Sequence, residues 1–157
     1  ITITAEQAST SGTSIDFTGI PAGVRRITIM FKGVSLSGTA DYLIQIGPSG
    51  GPESSGYLGA SAAVVNASGT TCTAYTAGFG IIAATAAAVM HGSVVLSLER
   101  ASTFAWVSSG TLAWSNSALV LTTAGSKALA AELTQVRITT SNGSDTFDAG
   151  VISISYE

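Results

Sequence analysis

Few residues in this sequence could do chemistry, and they are widely spaced. The single histidine sits in Val89-Met90-His91-Gly92, with no nucleophile motif beside it. Hydrolysis of the Ser–His type needs a base within hydrogen-bond reach of its nucleophile, so His91 reads as a structural residue at a strand entry. The single cysteine, Cys72, excludes an intrachain disulfide. A catalytic thiolate would want an adjacent His or cation, and Cys72 instead reads as a small buried or half-buried apolar residue. No Cys/His spacing fits a zinc site. Acid–base chemistry by carboxylate pairs has Asp16, Asp41, Glu53, Glu99, Asp145 and Asp148 to draw on. Their settings read as turns and strand ends. In Asn142-Gly143-Ser144-Asp145-Thr146-Phe147-Asp148, oxygen-bearing side chains recur at short spacing. Two readings of this turn stand: a Ca²⁺ loop lacking its distal Glu, or a hairpin with side chain-to-backbone bonds. The expectation is a chain with no catalytic residues, no metal and no cofactor.

Binding chemistry falls to the aromatics. Sugars are held by flat rings and neutral hydrogen-bond groups, and loops carry such sites on rigid scaffolds. Loop 47–57 offers glycine and serine backbone together with Tyr57, and loop 66–80 offers Asn66, Ser68, Thr70, Tyr75 and Phe79. Tyr57, Tyr75, Asn66 and Phe79 are the candidate ligand-binding residues. The competing reading is that these residues pack a subunit interface. Trp106 alternates with Phe104, and Trp114 with Leu112, so both tryptophans are expected on a core or subunit-contact face.

Composition narrows the classes further. The chain has 157 residues, the length of one domain, and 1–157 is taken as a single unit. Such a domain buries roughly 70% of its unfolded surface and can build a core without disulfides or metal. Charged residues are 10%, against roughly 25% in an average soluble domain. Six basic residues are scattered among nine acidic ones, which leaves no basic patch for phosphate neutralisation, so no nucleic-acid partner is expected. Low charge also weakens repulsion between copies. The Ala-rich run from Ala77 to Met90 is too short and too weakly apolar to span a bilayer, so no membrane insertion is expected. The first residues lack a signal-peptide pattern and a Met, which reads as a piece of a longer chain.

The elements that must position these residues are strands. Period-two alternation recurs at Ile1/Ile3, Ile15/Phe17, Ile27/Ile29/Phe31, Val94/Leu96/Leu98, Val136/Ile138/Thr140 and Ile152/Ile154/Tyr156. Leu43-Ile44-Gln45-Ile46 is a fully buried run. Turn signals follow every ten or so residues: Pro21 within 19–23, Ser37-Gly38, the Gly/Pro loop 47–52, and Asn142-Gly143 as a hairpin signal. Residues 81–90 and Lys127–Leu133 have helical composition. Their flanks favour a loop or irregular strand for the first and a connection for the second. The spacing predicts an all-β fold, an antiparallel β-sandwich or barrel.

Four strings carry a resemblance: GTSIDFTGIPAGVRRITIMFKGVSLSG at 12–38, YLIQIG and GPESSGYLG within 42–59, HGSVVLSL at 91–98, and LTQVRITTSNGSDTFDAGVISISYE at 133–157. Together they resemble the C-terminal region of tail fibre and tail spike proteins of tailed bacteriophages and prophages. The stretch from Val64 to Ala88 matches least and is where specificity is expected. The resemblance implies a jelly-roll-like β-sandwich at the tip of a virion fibre, assembled as a homotrimer and continuous with the rest of the fibre chain. It implies host-cell receptor binding, to a bacterial cell-surface carbohydrate, or trimer assembly, and supplies no catalytic residues. The alternative is a lyase or glycosidase domain of a phage depolymerase.

Overall fold

The structure is a computed structural model that describes residues 1–65, 69–83 and 85–157. Its strands are β1 (Thr2–Ile3), β2 (Gln7–Ala8), β3 (Ser14–Thr18), β4 (Arg26–Leu36), β5 (Tyr42–Gly47), β6 (Leu58–Val65), β7 (Gly69–Tyr75), β8 (Phe79–Ile81), β9 (Met90–Arg100), β10 (Ala105–Trp114), β11 (Leu119–Ala128), β12 (Gln135–Thr140) and β13 (Phe147–Tyr156). One turn of 3-10 helix, Ala101–Thr103, joins β9 to β10. The wide sheet runs β1-β13-β4-β9-β10-β11-β6-β7, with β2 also on β13. The narrow sheet runs β3-β12-β5-β8. Every pairing is antiparallel. The expected all-β antiparallel sandwich is present.

Alternation explains the core. Ile27, Ile29 and Phe31 of β4, Val94 and Leu96 of β9, and Ile152 and Ile154 of β13 point inward from the wide sheet. Ile15, Phe17, Val136 and Ile138 do so from the narrow one, and β5 is buried along its whole length. These residues form a single cluster across both sheets. The alternation of β4 changes phase at Gly33, so Val34 and Leu36 face inward after Phe31. Gly33 and its neighbour Gly150 on β13 have φ of +69° and +87°. Both lie at irregularities in strand register, where the left-handed conformation that glycine permits adds a residue without breaking the sheet.

Several expectations are corrected. Ile1 and Ile3 are exposed, because β1 pairs only with the end of β13 and no second layer covers it. Asn142-Gly143 does not close a hairpin: β12 and β13 belong to different sheets, and the turn carries the chain between layers. The same local turn chemistry serves either reversal. Within the wide sheet, β6 leads directly to β7 and β9 to β10 to β11, whereas most other connections cross between layers. Lys127 and Ala128 end β11, and only the residues after them form the connection to β12. Cys72 is exposed on edge strand β7, where all residues before Tyr75 face solvent.

Ile44, on a strand paired on both sides and fully inaccessible, tests the core assignment. Ile44→Ala is expected to lower unfolding free energy by about 2–5 kcal/mol. Val120→Thr, on the exposed face of β11, is expected to stay within about 0.5 kcal/mol of the parent. Urea titration of both variants checks this, and equal effects would contradict the inside–outside assignment.

Candidate functional site

Loop 48–57 connects β5 to β6 and is pinned from beneath by Tyr57. The Tyr57 hydroxyl accepts from the Ile46 amide at 2.8 Å and faces the carbonyls of Glu53, at 2.9 Å, and Ile46, at 3.2 Å. Its ring is inaccessible, packs edge-on against Phe79 with centroids 5.0 Å apart, and lies under the Lys127 ammonium. Lys127 also meets Glu53 at 2.5 Å, and the other Glu53 oxygen accepts from the Ala130 amide at 2.9 Å. Burial would raise the Glu53 pKa, but the hydrogen bonds from Lys127 and Ala130 and the Lys127 charge hold the carboxyl below its ordinary value. Sequence reading missed this clamp, although a signal existed. Lys127 has the parity of Leu119, Leu121 and Thr123, which puts it on the inward face of β11.

Tyr75 is anchored in a similar way. Its ring packs over Gly80, where any Cβ would collide with it, and its hydroxyl donates to Asp41 at 2.7 Å. The second Asp41 oxygen accepts from the Ala83 amide at 2.8 Å. Burial, and then the Asp41 hydrogen bond and charge, push the Tyr75 hydroxyl above its ordinary range, so it remains a donor. Phe79 is also buried. Tyr57, Tyr75 and Phe79 therefore offer no ring face to a sugar, which corrects the expectation that they stack on a ligand. Tyr57 ends a loop, but Tyr75 ends β7 and Phe79 opens β8, so the expected loop 66–80 is mainly strand from Gly69 onward. At these strand ends a large ring is drawn inward by the apolar area it removes from water. Asn66 and Ser68 lie outside the described residues.

The remaining candidates are scattered. Asp16 forms a two-point pair with Arg137 at 2.7 and 2.8 Å on the narrow sheet. The Asn142 side chain accepts from the Ser144 and Asp145 amides, and Asp145 accepts from the Ala40 amide. Asp148 accepts from Ser35. The 142–148 oxygens are thus engaged in holding the turn, and no cluster of three or more His, Cys, Asp or Glu that could hold a metal occurs among the described residues. His91 is half-buried near the start of β9, as expected. Trp106 is buried and Trp114 packs against the core. Neither indole N–H has a hydrogen-bond partner among the described residues.

Concave features lie mainly on the wide sheet. A cavity of about 100 Å³ lies among Val24, Leu98, Phe104, Trp106 and Leu133, smaller than the roughly 300–1,000 Å³ of small-molecule sites. Two broader depressions open on the β10-β11-β6 side. One, about 620 Å³, is lined by Leu58, Glu99, Val107 and Ser126; the other, about 490 Å³, by Val64, Ala113, Trp114 and Val120. Neither brings together two carboxylates or a nucleophile with a base. No helix is long and apolar enough to cross a membrane among the described residues. Comparison with protein-family models, curated proteins and solved structures gives no match to this chain.

The Glu53 clamp has a pH signature. A carboxyl lowered in the folded state adds stability above its unfolded pKa, about 4.3. That stability is lost as pH falls through the lower folded value. Lys127→Met is expected to flatten the loss of stability below about pH 5. At neutral pH it should cost about 1–3 kcal/mol, less than a fully buried pair because the Glu53 side chain is 24% exposed. Thermal melts from pH 3 to 7 check this, and parallel profiles for parent and variant would contradict it.

Proposed function

We propose that this chain is a non-enzymatic tip domain of a tailed-phage tail fibre or tail spike, and that it serves trimer assembly. The observation that carries the reading is spatial. The strings that resemble such tips are scattered along the sequence, yet they supply β3, β4, β5, β9, β12 and β13. These strands are neighbours: β13-β4-β9 in one sheet and β3-β12-β5 in the other. The resemblance therefore follows one continuous half of the sandwich. The least similar stretch, 64–88, supplies the far edge, with β7 and β8.

Strand order supports a jelly-roll topology. The narrow sheet interleaves β3, β12, β5 and β8, and the wide one runs from β4 through the β9-β10-β11 meander to β6 and β7. The first four strands of the wide path, β1-β13-β4-β9, alternate in sequence with the narrow four, which favours a jelly-roll arrangement extended by β10, β11, β6 and β7. The non-enzymatic reading is supported by the carboxylates themselves, since Asp16, Asp41, Glu53, Asp145 and Asp148 each bind groups within the fold. The scarcity of charge favours contact with other copies over nucleic acid.

Binding of a bacterial surface glycan is the second reading. The depression between Leu58 and Glu99 favours it by size, but the ring that lines it, Trp106, is buried. Assembly is therefore placed first. Sedimentation equilibrium at micromolar concentration is expected to give three times the 15.7 kDa chain mass. Incubation with host polysaccharide is expected to release no reducing ends. A monomer would contradict assembly, and release abolished by a single carboxylate change would establish the lyase or glycosidase alternative.

A further inference from the structure

The charge of this protein is unevenly distributed. Residues 54–98 contain no Asp, Glu, Lys or Arg, and neither do residues 101–126. These stretches build β6, β7, β8, β10 and nearly all of β9 and β11. On the outward face of β9, β10, β11 and β6, the positions between His91 and Glu99 at the β9 margin are Ser, Thr, Ala and Val, with Leu58 at one end. Among the described residues, four of the six exposed large apolar side chains belong to this face: Leu58 at 72%, Val64 at 62%, Val120 at 52% and Val107 at 41%.

Strand register arranges them in two ridges. Ala113, Val120 and Val64 lie side by side across three strands, and Val107, Ser126 and Leu58 do the same further along. Between the ridges the cross-strand rows are small: Ser109–Ala124–Ala60 and Thr111–Thr122–Ala62. Both broad depressions open on this side. Exposed apolar residues gathered on one face, set among neutral polar ones, mark contact sites on soluble proteins.

We propose that this face is the surface on which copies of the chain meet, three around one axis; the proposal rests on the assembly reading and names its interface. A second copy suits the face because the face is neutral. Two such surfaces can be buried together without removing an unpaired charge from water. The area also suits it: four strands at about 4.8 Å and eight residues at about 3.3 Å give about 500 Å² of flat sheet before side-chain relief. That is the order of the roughly 800 Å² each partner contributes to a stable interface. Width admits the three copies of the assembly reading. Three strips each about 19 Å wide, closed into a prism, lie about 5.5 Å from the axis, close to half the roughly 10 Å between packed sheets. The small rows between the ridges permit that approach.

The test combines mass with the chain's own thiol. Cys72 pairs with Ala62 in the outward row of β6 and is exposed in a single copy. Val120→Lys and Val64→Lys put a charge at the centre of the face, with Ser153→Lys on β13 as the control. Near-UV circular dichroism checks that each variant keeps its fold. The expected result is a trimeric parent and control, with the two valine variants associating at least about 100-fold more weakly. Cys72 lies on β7, just beyond the four-strand face, so spin labels on it should report inter-copy distances in the parent and control that are lost in the two valine variants. Folded valine variants that trimerise like the parent would overturn the face while leaving the assembly reading intact. A monomeric parent would overturn both. A dimeric parent dissociated by Val120→Lys would overturn the threefold arrangement.

Discussion

Ile27, Ile29 and Ile152 on one sheet, and Ile44, Ile46 and Ile138 on the other, have no accessible surface. This apolar contact between two inner faces is what the other features depend on. At roughly 25 cal/mol per Å² of apolar area removed from water, it is the main favourable term for a chain that lacks an intrachain disulfide and has few ion pairs. The contact also decides where the large rings go. Tyr42, Tyr57 and Phe147 are among the fully buried side chains, and the phenol hydroxyls need partners there. Tyr57 and Tyr75 find them on the loops and turns that cross between layers, so their burial fixes those crossings.

Polar chemistry in this fold is consequently spent on connections. Asp41, Glu53 and Asp145 each hold a backbone amide of a neighbouring segment, and Glu53 also meets the inward Lys127. With charge drawn to these anchors and to the β4–β13 side, the β6–β11 side is left neutral. A neutral, valine-ridged sheet face suits contact with other copies better than the loop ends suit a sugar.

Much of the fold was legible in the sequence because period-two alternation and turn chemistry are local signals. Ile27/Ile29/Phe31, Val136/Ile138/Thr140 and the buried run at Leu43–Ile46 all face as the alternation predicts. Layer membership was less legible: Asn142-Gly143 specifies a tight reversal but not whether the next strand stays in the sheet. The candidate site was misread for a physical reason. Tyr57 follows Gly56 and Tyr75 stands three residues before Gly78, in loop-like sequence, and composition does not reveal that a ring turns inward. Lys127 was readable by parity, whereas its partner Glu53, some seventy residues earlier in the chain, was not. Cys72 faces solvent because its pairing with Ala62 puts it on the outward side of edge strand β7, a property of the whole sheet rather than of its neighbours in sequence.

The most direct measurement of the central claim uses the sole cysteine as it stands. Spin-labelled Cys72 requires no added or removed thiol, and pulsed dipolar spectroscopy reports distances between labels on different copies. Three copies joined through their neutral sheet faces predict one narrow inter-copy distance, with a modulation depth for three coupled spins, both lost in Val120→Lys. A signal containing only the smooth decay of isolated molecules, or one unchanged by Val120→Lys, would contradict the account.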